Sequence, residues 1–348
     1  MSAGINAQEI VGLRGQRRVI DGISLSLQPG ECVGLVGRSG VGKSTLLLMI
    51  AGIVPVAEGR LHVGGRPVSQ TPPRDLGVHL LGQSPLVLDH MSVRQNLELP
   101  TRFRRGGDGE MTVEVVARQL ALEPLLEQSA RAISGGERQR IAIGQAMRSP
   151  ASVLLLDEPV KAALEPELRH QVRSALTSHV LGRGKTVIFV SHDVEDIGAL
   201  ADRVLVLGSR SMLDTCSVEE FFTSPPTPQI ARDMDLAVVV TGTYRAEAGG
   251  LVLAEGGDVV LLPAALACGE GIRVWVLPYS AWRVRPGGGW ILDRTWPVVA
   301  GARARFAGSN GSAISLILRS DDCPLHVGQT YSLQVVPDCV RNFPETGS

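Results

Sequence analysis

The sequence predicts an α/β domain on a predominantly parallel sheet, followed by a small all-β domain. Three observations predict it. Up to about residue 222, short apolar runs alternate with helical patterns. The prolines of Ser224-Pro225-Pro226-Thr227-Pro228 then break the pattern. Beyond them the apolar runs are short and spaced by glycines.

The runs Cys32 to Val36, Val153 to Leu156, Val187 to Val190 and Val204 to Leu207 show no polar alternation. Strands of that kind are buried on both faces, as in parallel sheets covered by helices. From Gln83 to Ser134 the pattern is mostly helical with charged faces, for instance Val113 to Leu122. The first domain is therefore placed at 1–230, with a helical subdomain at about 84–133. Proline removes a ladder donor and restricts the residue before it, so 224–228 is expected to be a linker or a sharp turn. The runs Val238 to Val240, Leu251 to Leu253, Val259 to Leu262 and Val274 to Val276 have the rhythm of a barrel or sandwich, placed at 236–348. Within it, Gly269 to Pro278 lines up with Gly328 to Pro337, and Val240 to Gly242 with Val299 to Gly301 at the same offset. That likeness reads as two related β units.

A chain of 348 residues has room for two cores. Hydrophobic residues make up 44% and charged residues 20%, an ordinary globular balance. The formal net charge of -1 supplies no basic excess for nucleic acid. No apolar run approaches a membrane span; Leu46 to Val56 is short and broken by Gly52 and Pro55. Residues 1–20 carry arginines but no apolar core of a secretory signal. The five cysteines, Cys32, Cys216, Cys268, Cys323 and Cys339, form no CxxC pair. Reduced thiols in the cytosol are expected, not a zinc site or a disulfide framework.

Gly37-Arg38-Ser39-Gly40-Val41-Gly42-Lys43-Ser44-Thr45 fits the P-loop pattern, between an apolar strand and a helical run from Leu46 to Ala51. The glycines let successive N–H groups turn inward around phosphate oxygens, at a helix end that favours negative charge. Lys43 is placed to reach the β- and γ-phosphates of ATP and the Ser44 hydroxyl to ligate Mg²⁺. The strand Val153 to Leu156 ends in Asp157-Glu158. Asp157 is expected to hold Mg²⁺, and Glu158 to polarise the water that attacks the γ-phosphate. Ser134 and Glu137, three apart, form a capping-box pattern that begins a helix. The glycines between them bare that helix end to a phosphate.

Ser134-Gly135-Gly136-Glu137-Arg138-Gln139, ahead of the Asp157-Glu158 strand, resembles the signature motif of ABC ATPases, and the likeness extends to about residue 220. The resemblance implies an α/β P-loop ABC ATPase domain with a helical subdomain. Gln83 falls at the Q-loop position, which implies that it senses the nucleotide, joins Ser44 and Asp157 around Mg²⁺ and touches membrane subunits. His192, in Ser191-His192-Asp193, is similar to the switch histidine that contacts the γ-phosphate. The family works as a head-to-tail dimer, so Ser134, Gly135, Gly136 and Glu137 are expected to serve the nucleotide of a second copy. Three positions depart from the pattern. Arg14 falls where relatives stack an aromatic on adenine, and its guanidinium can lie flat on the base instead. Pro159 to Glu165 is similar to the D-loop with one residue inserted and glutamate in place of aspartate. Glu137 replaces the commonest glutamine.

A single nucleotide domain with a β tail resembles bacterial importer ATPases. The tail is similar to the oligonucleotide-fold-like (TOBE/MOP-like) domain of oxyanion importers. Gly271 to Val276 and Ser280 to Val284 are most like the molybdate type. The resemblance implies transmembrane permease subunits as partners, indirectly a solute-binding protein, and a peripheral place on the cytoplasmic face of the cell membrane. Sulfate, iron(III) and polyamines are alternative cargoes. A soluble ABC protein without transport, a P-loop kinase and a degenerate regulatory ATPase are the rival classes. The kinase would leave Ser134 to Arg140 idle.

Overall fold

The computed structural model describes residues 3–102, 111–160, 166–179, 184–208, 212–245, 250–253, 259–261, 273–278, 282–298, 301–308, 313–318, 329–335 and 341–344. Two compact units divide the chain, Met1–Val218 and Glu219–Ser348.

The first unit opens with β1 (Ile5–Arg14) and β2 (Arg17–Leu27), then β3 (Cys32–Gly37), α1 (Lys43–Ile50), β4 (Glu58–Val63), β5 (Arg66–Pro67) and β6 (Val78–Leu81). Three helices follow: α2 (Val93–Arg102), α3 (Val113–Gln119) and α4 (Gly135–Arg148). The unit closes with β7 (Val153–Asp157), α5 (Pro166–His179), β8 (Thr186–Val190), α6 (Val194–Leu200), β9 (Arg203–Leu207) and β10 (Met212–Ser217).

The central sheet runs β10-β9-β3-β8-β7-β6. Its pairs are parallel except for the edge strand β10. Every residue of β3, β7 and β8 is buried, as unbroken apolar runs between two helical layers require. The carboxyl ends of these three neighbours lie side by side, which places Gly37, Asp157 and Val190 at one edge. Open α/β sheets bind their ligands along that edge.

A second sheet, β2-β1-β4-β5, is antiparallel. It shares a core with the first through Ile5, Ile10, Ile20, Leu46, Leu47, Val33 and Leu35. Each such side chain stabilises the unit by roughly 1.5–3 kcal/mol on burial.

Helices α2 and α3 fall within the 84–133 stretch expected to be a helical subdomain, and α4, which begins just beyond it, packs on both. Gly144 of α4 permits the close approach: a Cβ there would sit 2.5 Å from Leu97 Cδ2 and 2.9 Å from Val116 Cγ1. Leu97 and Val116 are themselves fully buried, so yielding to a new side chain would displace other core groups. Gly144→Val is therefore expected to destabilise the first unit by about 1–3 kcal/mol through overpacking. Urea unfolding checks this, and an unchanged midpoint would refute the close-packing account. At the end of α4 the buried Arg148 donates to the carbonyls of Leu97 (2.8 Å) and Met111, tying α2 to the chain before α3.

The second unit begins with α7 (Val218–Thr223), whose first residue closes unit one, and α8 (Pro228–Asp233). Of the three prolines expected in a linker or turn, Pro225 and Pro226 lie in the non-helical stretch between these helices. The last one instead opens a helix: Thr227 Oγ1 accepts from Ile230 N at 3.1 Å, and Pro228 occupies the first helical position. Proline suits that place because its missing N–H has no helical partner to lose.

The strands are β11 (Ala237–Arg245), β12 (Gly250–Leu253), β13 (Val259–Leu261), β14 (Arg273–Pro278), β15 (Trp282–Val298), β16 (Gly301–Gly308), β17 (Ala313–Leu318), β18 (Thr330–Val335) and β19 (Arg341–Pro344). They form one sheet, ordered β17-β16-β15-β18-β13-β12-β11-β14-β19. Trp282, Trp290, Leu292, Phe306, Tyr331 and Leu333 cluster in its core. Phe306 and Tyr331 meet edge to face at 5.7 Å. The small β domain is thus present. Among the described residues the expected duplication does not reappear as repeated pairing. β14 lies between β11 and β19, whereas β18, its proposed counterpart, lies between β15 and β13. Gly269 to Ile272 and Gly328, which begin the two aligned segments, lie outside the described residues.

Candidate functional site

The loop from β3 to α1 is shaped by its glycines. Gly37 must be glycine because a Cβ would stand 2.4 Å from the Leu207 carbonyl oxygen. Gly42 adopts φ 117, where any side chain is strained, and caps α1 without a side-chain acceptor. A helix end of this kind, without a side-chain cap, suits an anion. Lys43 is buried, and its Nζ donates to the carbonyls of Gly37 at 2.6 Å and Arg38 at 3.0 Å. Its charge is thereby fixed at the centre of the loop.

A cleft of about 740 Å³ opens over this loop. Arg14, Arg17, Arg18, Val19, residues 38–45, Gln83, Glu158 and His192 line it. Four elements far apart in sequence thus converge: the P-loop, Gln83, the end of β7 and the loop after β8. Arg14 reaches the same cleft because β1 and β2 form a tight hairpin in which Arg14 pairs with Arg17 across Gly15-Gln16. Arg17 and Arg18 carry no motif of their own, and the two-residue turn is the readable hairpin signal that brings them here. Arg18 is held by Asp21 at 2.7 Å and Glu58 at 2.6 Å.

Asp157 lies below the cleft, 3% exposed. Burial raises its carboxyl above the usual range, opposed by hydrogen bonds from the side chains of Ser44 and Gln83. Its Oδ1 is buried with no hydrogen-bond partner. A carboxylate oxygen left unpaired beside a hydroxyl and an amide is a set of hard oxygen donors. It fits Mg²⁺, which takes few protein ligands and completes its shell with phosphate oxygens and water.

Glu158 follows in the left-handed region at φ 53, and its N–H donates to the Val190 carbonyl at 3.1 Å. Its Oε1 lies 3.7 Å from His192 Nε2. A buried network holds the His192 loop: Ser191 Oγ donates to Asp196 Oδ2 at 2.7 Å and accepts from Asp193 N at 3.0 Å. Arg173 Nε donates to the other oxygen of the fully buried Asp196 at 2.9 Å. Burial raises the Asp196 carboxyl, against the Ser191 and Arg173 hydrogen bonds.

Ser134, Gly135, Gly136 and Glu137 stand elsewhere, at the start of α4, and do not line the cleft. Both halves of the capping box are formed: Ser134 Oγ accepts from Glu137 N at 3.3 Å, and Glu137 Oε2 accepts from Ser134 N at 2.7 Å. The Ser134 bonds hold the Glu137 carboxyl below its usual range. Ser134, Gly135 and Gly136 face solvent, and a Cβ at Gly135 would meet nothing within 4 Å. The D-loop segment after Val160, through Glu165, lies outside the described residues. No helix among the described residues is long and apolar enough to cross a membrane.

Residues 20–161 match the family described as ABC transporter. The sn-glycerol-3-phosphate import ATP-binding protein UgpC of Paracoccus denitrificans (strain Pd 1222) is 32% identical over 311 residues, covering 87% of this chain and 86% of that protein. The protein of the same name from Chromobacterium violaceum is 35% identical over 262 residues, covering 74% and 70%. The sulfoquinovosyl glycerol transport ATP-binding protein SmoE of Agrobacterium fabrum is 32% identical over 225 residues, covering 64% and 63%. Among solved structures, a bacterial Atm1-family ABC exporter with ATP bound superposes with a TM-score of 0.57 at 22% identity, over 64% of this chain and 40% of its own. That last likeness concerns the fold alone.

Proposed function

The chain belongs to the ABC transporter family as an importer-type ATP-binding subunit with ATPase activity, and from that membership we propose how its residues divide the work. The single observation that carries the proposal is the convergence of the P-loop, Gln83, Glu158 and His192 on one cleft. Residues 37–45 cradle the phosphates of ATP, with Lys43 on the β- and γ-groups. Ser44, Asp157 and Gln83 hold Mg²⁺, which when bound offsets the charge that builds on the phosphates. Glu158 polarises the attacking water, and His192 contacts the γ-phosphate 3.7 Å from that carboxylate. Arg14 packs its guanidinium on the base. Ser134 to Glu137 complete the site of a second copy, consistent with an exposed helix end that lies outside their own cleft.

The ATPase works at the cytoplasmic face of the cell membrane with transmembrane permease subunits, which receive solute from a solute-binding protein. For the solute we propose a small organic anion of the phosphorylated- or sulfonated-glycerol class. The supporting observation is that an alignment covering 87% of the chain runs beyond the first unit into the tail, and that relative is named for sn-glycerol-3-phosphate. Molybdate, expected from the tail segments near Val274 and Trp282, finds no support among these relatives and becomes the competitor in the test. Labelled sn-glycerol-3-phosphate and molybdate uptake would be compared in cells with wild-type or Lys43→Ala protein. Glycerol-phosphate uptake that depends on Lys43, at least about tenfold, is the expected result. Dependence of molybdate uptake alone would reverse the assignment.

A further inference from the structure

Gln139 lies on α4, the helix that begins at the exposed Ser134-Gly135-Gly136, and is 1% exposed. Its Nε2 donates to two main-chain carbonyls, those of Glu158 at 3.3 Å and Pro159 at 3.2 Å. The opposite amide orientation would set an oxygen against two carbonyl oxygens, so the surroundings dictate which way it points. Its own Oε1 is buried without a hydrogen-bond partner. Leaving a buried acceptor unpaired is unfavourable. The amide is therefore held by its two donor bonds at a cost to itself.

Those bonds fall where the backbone most needs them. Glu158 stands at φ 53, in a region that non-glycine residues rarely occupy and that persists only where neighbours over-determine it. One constraint is the Glu158 N–H bond to the Val190 carbonyl at 3.1 Å. Gln139 supplies the other, on the opposite side of the same residue. We infer that Gln139 is a positioning residue for hydrolysis. It pins the Glu158-Pro159 main chain so that the Glu158 carboxylate projects into the cleft, and it ties that aim to the helix bearing the Ser134 to Gly136 end, a role that rests on reading Glu158 as the group that polarises the attacking water. Displacement of α4 then moves Glu158 directly, without passing through the nucleotide.

The test uses the full chain and four proteins: wild type, Gln139→Met, Glu158→Gln and the double variant. Methionine keeps the length of the side chain and removes both donors. Gln139→Met is expected to lower kcat by about 10- to 100-fold, as misplacement of a catalytic group by about 1 Å does. KM for ATP and binding of a fluorescent ATP analogue should stay within about twofold, because the phosphate loop is untouched. In the Glu158→Gln background, single-turnover hydrolysis should fall no further, since the group being aimed is already gone. A wild-type kcat in Gln139→Met overturns the inference. So does an equal loss in both backgrounds, or a loss confined to KM. Should the methionine variant fail to fold, Gln139→Asn keeps the amide one methylene short of the carbonyls and is read by the same criteria. Unchanged turnover in Glu158→Gln itself is a separate result, and it removes the role of Glu158 rather than that of Gln139.

Discussion

Glu158→Gln is expected to lower ATP turnover by about 100- to 1,000-fold while ATP binding is kept. The substitution is nearly isosteric. The backbone contacts of residue 158, from Gln139 Nε2 and to the Val190 carbonyl, do not involve the side chain and should survive. What changes is charge and basicity. An amide cannot accept a proton from water, and its dipole orients a nucleophile far less strongly than a carboxylate. Removing a negative group beside Asp157 also relieves repulsion toward the phosphates, so affinity for ATP should hold or rise. If ATP-loaded dimers are dissolved by hydrolysis, the variant should accumulate them, visible as a shift to twice the mass in size-exclusion chromatography with light scattering. Turnover within about twofold of wild type would remove Glu158 from the chemistry. His192, 3.7 Å away, would be the next group to test.

The central sheet was legible because burial on both faces leaves an unambiguous mark. Cys32 to Val36, Val153 to Leu156, Val187 to Val190 and Val204 to Leu207 all became strands within a residue or so of the apolar run. The P-loop was legible for a related reason: its glycines, turn and helix are contiguous, so local sequence specifies the whole shape. The antiparallel sheet of β1, β2, β4 and β5 is marked more weakly in the sequence. β1 carries register shifts against β2 near Ile10 and Gly12, and Glu9 takes φ 48. Each bulge flips the face on which the next side chain lands, so alternation is lost along β1, whereas Ile23 to Leu27 of β2 keeps it. Of the prolines expected in a linker or turn, Pro225 and Pro226 lie in a non-helical bend and only Pro228 departs, because proline signals a break in one context and a helix start in another. Thr227 ahead of Pro228 was the cue that decided it.

At the site, order and spacing alone single out Gln83, Glu158 and His192, which the structure brings to one cleft with the P-loop. Gln139 is not among them. Its bonds go to carbonyls some twenty positions away, and any glutamine in a helix could make or lack them. Hydrogen bonds to main chain have no sequence partner to recognise. The register that brings α4 against the end of β7 is a tertiary fact.

The largest remaining expectation concerns the second copy. A Lys43→Ala chain loses the phosphate loop's central cation, and a Gly135→Asp chain places a carboxylate at the α4 terminus where a partner's phosphate should sit. The aspartate has space, since a Cβ at Gly135 meets nothing within 4 Å. A negative charge in the first turn also favours the helix dipole, so the fold should not suffer. Each variant alone should be nearly inactive, by about 100-fold or more. In a head-to-tail dimer of the two, one site combines both defects. The other joins the intact loop of the Gly135→Asp chain to the intact α4 terminus of the Lys43→Ala chain. Equal mixing makes half the dimers mixed, so about a quarter of wild-type hydrolysis should return if the two sites act independently. If the Ser134-Gly135-Gly136 end served the nucleotide of its own chain, every site in every mixture would carry a defect. No ratio of the two variants would then restore activity. Recovery on mixing therefore separates a shared site from a self-contained one, and it does so without requiring that the dimer be crystallised or that the cargo be known.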